Sequence, residues 1–154
     1  MVLVYALLIG LATGLRSMTG PAAVSWAARL GFLRLGGTGL AFLAHPLATA
    51  FFTLAALGEF VGDKLPQAPA RTQTPGLVTR LLVGGMCGAA VTMGHGGGAL
   101  PGVGMGVVGA LVGTFGGYQY RVRVPKALRF ADFPFAVLED LFAVGLCALV
   151  ITRG

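Results

Sequence analysis

Long apolar runs alternate along the chain with short polar joints. Five runs, 2–20, 46–62, 76–93, 100–118 and 133–151, come close to the roughly 20 apolar residues that a membrane-crossing helix needs. Pro21 follows the first run. Pro46 opens the second, at a first-turn position where its missing N–H costs little. Between them, residues 22–34 put Trp26, Leu30 and Leu33 on one side of a helix and Ser25 and Arg29 on another. That pattern predicts a short amphipathic helix lying at the interface, or a re-entrant piece, with a sixth full span disfavoured by the two arginines. The predicted fold class is all-α: one polytopic transmembrane bundle covering residues 1–154, with about five spans.

Composition narrows the class further. Of 154 residues, 56% are hydrophobic and 10% charged, and the mean hydropathy is +0.85. A soluble domain carries about a quarter charged residues, so a water-soluble globule, a disordered chain and a nucleic-acid binder are excluded. Glycine contributes 26 residues without a collagen period. The glycines follow helical spacing: Gly10 and Gly14 in the first run, Gly84 and Gly88 in the third, and Gly102, Gly106, Gly109, Gly113 and Gly117 in the fourth. Such faces let helix backbones approach closely where lipid gives no hydrophobic drive to association. They predict helix packing within the chain or at a homodimer seam. The GxxxG pairs Gly10/Gly14 and Gly109/Gly113 also suggest an inverted repeat, because the five-span count would orient their helices oppositely.

The net charge of +6 resolves into topology signals once the charges are placed. Lys64, Arg71 and Arg80 belong to the second joint, and Arg121, Arg123, Lys126 and Arg129 to the fourth; Arg16, Arg29, Arg34 and Arg153 belong to the other side. The positive-inside rule then predicts a multi-pass membrane protein with a cytoplasmic N-terminus. Met1 runs straight into apolar sequence without a basic segment and reads as the start of a retained span.

Charges inside the runs carry the candidate chemistry. A charge at mid-bilayer costs at least about 2.5–3.5 kcal/mol and usually meets a partner or a wet cavity. Arg16, Glu59, Asp63, Arg80, Glu139 and Asp140 lie in or at the ends of apolar runs, and Glu59 and Asp63 share a helix face. With Lys64 and Arg71 they form a candidate ion- or solute-binding cluster, or else a salt-bridge lock. Cys87 and Cys147 read as core residues, and His45 and His95 as interfacial residues rather than metal ligands. The GHGGGALPG stretch at 94–102 lacks the phosphate-loop spacing, and no HExxH or GxSxG constellation occurs. No catalytic residue, metal or cofactor is therefore expected.

Several motifs recur together: GLRS at 14–17, GEFVGDKLPQAPART at 58–72, LVTRLLVGGMCGAA at 77–90, GTFGGYQYR at 113–121 and DFPFAVLED at 132–140. In this order the chain resembles a bacterial family of small integral membrane proteins catalogued as a domain of unknown function. The resemblance is most specific in the run Glu59, Asp63, Lys64, Pro66, Pro69, Arg71, Thr72 and in the closing Glu139–Asp140 pair. The resemblance implies the fold and a location in the bacterial inner membrane, and no chemistry. The function expected from the residues is transport or conduction of a small ion or solute through the polar centre. The other reading is a non-transporting accessory subunit of a larger membrane complex. The expected partners are the lipid bilayer and a second copy of the chain.

Overall fold

Proline sets where most of the helices begin. In the computed structural model, which describes residues 1–62, 74–128 and 132–153, the helices are α1 (Val2–Leu15), α2 (Thr19–Arg29), α3 (Pro46–Gly62), α4 (Thr74–Gly94), α5 (Ala99–Leu128) and α6 (Asp132–Arg153). A short 3-10 turn spans Ala41–Ala44. Pro21, Pro46, Pro75, Pro101 and Pro134 each sit in a first turn, where the absent N–H would have had no intrahelical partner. The helices α4, α5 (over Ala99–Tyr120) and α6 (over Pro134–Arg153) are long and apolar enough to cross a membrane; α1 and α3 are shorter apolar helices. The protein is an all-α, membrane-type bundle.

The first apolar run departs from its predicted course. Helix α1 ends at Leu15, Arg16 adopts extended backbone (φ −138, ψ 106), and a new helix begins at Thr19. At 14 residues α1 is only about 21 Å long, short of a roughly 30 Å hydrocarbon core. The chain then turns back. Gly20 lies against Thr13, and farther on Leu33 reaches Gly94. Thus α2 runs antiparallel to α1 and beside α4, and α1 and α2 form a helical hairpin inside the bundle.

Contacts fix the remaining directions. Gly10 meets Gly106 and Gly14 meets Ala110, so α1 and α5 run parallel. Gly88 meets Gly102 and Gly84 meets Ala110, so α4 and α5 are antiparallel. Trp26 bonds Thr53 while Ser17 bonds Glu59, making α3 antiparallel to α2. Tyr120 meets Phe135 edge to face and Cys147 lies by Thr19, so α6 returns alongside α2. The six helices alternate in direction.

Two expectations are corrected by this. The helices bearing Gly10/Gly14 and Gly109/Gly113 are parallel, so that pair is not inverted. Met1 lies at the opposite end of the bundle from Gly62, Thr74 and Arg123, although the sequence put it on the side of the basic joints. Both follow from the reversal at Arg16–Met18, which adds a change of direction that the five-span count lacks.

The core is built from backbone as much as from side chains. A Cβ added at Gly106 would strike the Gly84 carbonyl; one at Gly10 would strike the Gly106 carbonyl, and one at Gly88 the Gly102 carbonyl. Gly109 and Gly113 likewise press on the α1 backbone at Leu7 and Leu11, and Gly117 is buried farther along α5. Three helices, α1, α4 and α5, thus touch main chain to main chain. Large apolar residues point outward instead: Leu47, Phe51, Leu54 and Val61 line the outer face of α3. Helix α2 follows the same rule. Its buried side holds Val24, Ser25 and Ala27, while Trp26 and Leu30 face out. The predicted polar face at Ser25 is therefore an inward one.

Candidate functional site

A helix broken inside a bundle exposes backbone groups that need partners. At the end of α1, the Thr114 hydroxyl of α5 donates to the Gly14 carbonyl (3.2 Å), and the Arg16 N–H returns to the Ala12 carbonyl. Ahead of α2, the free N–H groups are taken by a carboxylate. Glu59 of α3 accepts from the Ser17 N–H (2.8 Å), the Ser17 hydroxyl (2.8 Å) and the Met18 N–H (2.9 Å). An anion at a helix N-terminus is stabilised by these bonds and by the helix dipole. Glu59 is thus the clasp of the α1–α2 break.

The other charges gather around that clasp. Arg80 of α4 approaches Glu59 Oε1 at 3.7 Å and donates to the Gly76 carbonyl at 3.3 Å. Arg16, completely buried, pairs with Asp140 of α6 and lies 5.5 Å from the centroid of the Phe60 ring. Glu139, adjacent to Asp140, is buried as well. The structure therefore brings Arg16, Glu59, Arg80, Glu139 and Asp140 into one layer, contributed by the break and by α3, α4 and α6. Arg80 is the seventh residue of α4, which sets the layer about 9 Å inside the start of that helix. Asp63, Lys64 and Arg71 lie outside the described residues. His95 contacts the Val91 carbonyl, His45 Nδ1 accepts from the Leu47 N–H, and no group of three metal-ligating side chains forms among the described residues.

Two apolar grooves flank the layer. One, of about 560 Å³, opens between α1, α5 and α6 and is lined by Leu11, Gly113, Gly116, Tyr120, Glu139 and Phe142. The other, about 400 Å³, lies between α2, α3 and α6, with Thr19, Trp26, Thr53, Phe60 and Cys147 in its wall. The buried Thr19 hydroxyl has no hydrogen-bond partner among the described residues.

Sequence reasoning flagged Glu59 as a buried charge but not its main partners, the backbone amides at 17 and 18. Ser17 entered only as the last residue of the GLRS motif, with no role as a partner of Glu59. Its signal was available in one respect: a serine beside an arginine, just ahead of Pro21, is polar punctuation within an apolar run.

A family described as a domain of unknown function, DUF4126, matches residues 3–153. The chain belongs to the DUF4126 family. No curated protein and no solved structure gives a significant match. Membership accounts for nearly the whole chain and attaches no activity to it, so the DUF4126 fold has to be read from its own geometry.

Proposed function

We propose that this membrane protein moves a small ion or solute through the charged layer at the α1–α2 break. The observation that carries the reading is the break itself: a half-length helix reverses inside the bundle and five ionisable side chains converge on the turn. Non-helical backbone at membrane depth is tolerated where it is buried in protein or lines a cavity, and transporters build substrate sites at discontinuous helices. The grooves on either side of the layer, and the Thr19 hydroxyl at the wall of one, support an approach along α6. No route passes between α1, α4 and α5, where main chains touch. The proposed sidedness follows from the basic end of the bundle. Arg80 and Arg123 belong to the cytoplasmic half, and Met1 and Arg153 to the far side.

The test is flux from proteoliposomes across a panel of inorganic ions, small carboxylates and amines. Protein-dependent movement of at least one of them, lost in a folded Glu59→Gln variant, is expected. Intact protein that moves none of them would overturn the reading in favour of an accessory subunit, recovered from native membrane with a larger partner.

A further inference from the structure

No acidic side chain among the described residues belongs to the end of the bundle where α2 and α6 finish. Glu59, Glu139 and Asp140 lie in the charged layer, and Asp132 opens α6 at the other end. Asp63, outside the described residues, is next in sequence to Gly62, the last residue of α3. The α2–α6 end instead carries Arg29, Arg34 and Arg153, all exposed. Arg29 stands about 15 Å along α2 from Thr19 and has no ion-pair or hydrogen-bond partner among the described residues.

The groove between α2, α3 and α6 opens toward this end. On α2 its wall includes Ala22, Ala23 and Trp26, and the same helical stripe continues one turn farther to Arg29. Ala56 of α3 and Ala148 of α6 complete a trough of about 400 Å³ whose depth comes from these alanines. Phe60, its ring 5.5 Å from the Arg16 guanidinium, stands at the inner end. Trp26 is 45% exposed and donates its indole N–H to the Thr53 hydroxyl (3.1 Å), the posture of a tryptophan at headgroup depth. Apolar walls accept hydrocarbon, and a guanidinium one turn beyond such a tryptophan matches a phosphate. A zwitterionic headgroup brings its own cation to an end that already holds three arginines and no described acid. An anionic headgroup does not, so the charge at this end favours it.

We propose that the α2–α3–α6 groove seats an acyl chain of an anionic phospholipid whose phosphate rests on Arg29. The site does not depend on the transport reading. A chain held there leaves the α1–α5–α6 groove as the open approach to the charged layer.

Trp26 is the single tryptophan of the chain, so its fluorescence reports on the groove directly. The full-length protein is reconstituted in phosphatidylcholine bilayers holding some phosphatidylglycerol, with bromine on the acyl chains of one lipid or the other. Quenching of Trp26 then gives their relative affinity. Phosphatidylglycerol should be preferred by about fivefold or more, the effect of one basic side chain on an anionic lipid. Arg29 is exposed and unpaired among the described residues, so Arg29→Gln leaves the fold intact and should lower the preference about fivefold. Arg34→Gln, off the stripe, should lower it by less than about twofold. Ala148 is exposed on the groove wall, so Ala148→Phe fills the trough without straining the core and should remove the preference as Arg29→Gln does. Equal quenching by the two brominated lipids overturns the proposal, as do equal losses from Arg29→Gln and Arg34→Gln. A preference that survives Ala148→Phe in folded protein also overturns it and identifies attraction of headgroups to the surface without a seated chain. If the lipid preference is absent while a solute moves in proteoliposomes, the lipid site falls and the transport reading stands. If the preference holds and no flux occurs, the reverse is true.

Discussion

Replacing Glu59 by glutamine changes one oxygen to NH2 and removes a charge, with almost no change in volume. Its carboxylate accepts from three donors, the Ser17 N–H, the Ser17 hydroxyl and the Met18 N–H, and faces Arg80 at 3.7 Å. A glutamine has one acceptor oxygen. Turned toward Ser17, it sets its NH2 against the Met18 N–H; turned toward Met18, it sets NH2 against the Ser17 N–H. Either way one backbone donor at the break is left unsatisfied, at about 1–3 kcal/mol. The side chains of Glu59 and Arg80 are only 12% and 8% exposed, so screening by solvent is weak. Losing one partner of a mostly buried pair costs about 3–5 kcal/mol, a range that already contains much of the hydrogen-bond loss. The expected destabilisation is therefore about 3–5 kcal/mol. Reversible unfolding by sodium dodecyl sulfate in mixed micelles measures it, with Arg80→Met and the double variant completing a cycle. The double variant should be less destabilised than the sum by at least about 1 kcal/mol. A loss below about 1 kcal/mol for Glu59→Gln, or strict additivity in the cycle, would refute the clasp.

Other expectations follow from the same geometry. Gly106→Ala forces its Cβ into the Gly84 carbonyl and should cost about 2 kcal/mol or more in the same unfolding assay, whereas Gly104→Ala, which meets nothing within 4 Å, should stabilise α5 by about 0.5–1 kcal/mol. Thr114→Val keeps the shape but leaves the buried Gly14 carbonyl without its donor, a loss of about 1–2 kcal/mol read from the unfolding midpoint. Arg16→Met removes the guanidinium that faces Asp140, and adding Asp140→Asn should recover at least half of the lost stability. For topology, single cysteines at Val2 and Thr152 in a cysteine-free background should label from one side of the membrane and a cysteine at Arg123 from the other. Labelling of positions 2 and 123 from the same side would contradict the six-helix alternation.

The sequence made the helices legible and hid how they turn. Apolar length alone located α3, α4, α5 and α6, because a run near 20 residues has few other uses. The break at Arg16 was hidden because hydropathy averages over a window, and one arginine and one serine barely lower a run that contains Leu11, Leu15 and Met18. Pro21 was legible in two ways, as the stop of one helix or the first turn of the next. The five prolines that share first-turn positions show the second way to be the habit of this chain. The interfacial reading of α2 would leave Ser25 facing water, whereas the structure buries Ser25 against the bundle and keeps Trp26 outward. In a bilayer the hydrocarbon solvates Trp26 and Leu30, and small or hydroxyl-bearing residues turn inward. The acidic residues were recognisable from their cost in a membrane. Their pairing was not, since Ser17 and Glu59 stand 42 positions apart with no local pattern linking them.

The backbone contacts at Gly10, Gly84, Gly88, Gly102 and Gly106 have a mechanical consequence. Side chains packed on side chains can slide by changing rotamers, which gives an ordinary helix seam some compliance. Main chain lying on main chain has no such slack: any shift of α1 past α5 drives a carbonyl into a neighbouring Cα. The trio α1, α4 and α5 therefore acts as a stator, and relative movement in this bundle is left to α2, α3 and α6. Joint and anchor coincide at residues 16–18, where the stator's last turn hands the chain to α2. A force transmitted through α3 arrives there by way of the Glu59 carboxylate, as a pull on two amide hydrogens.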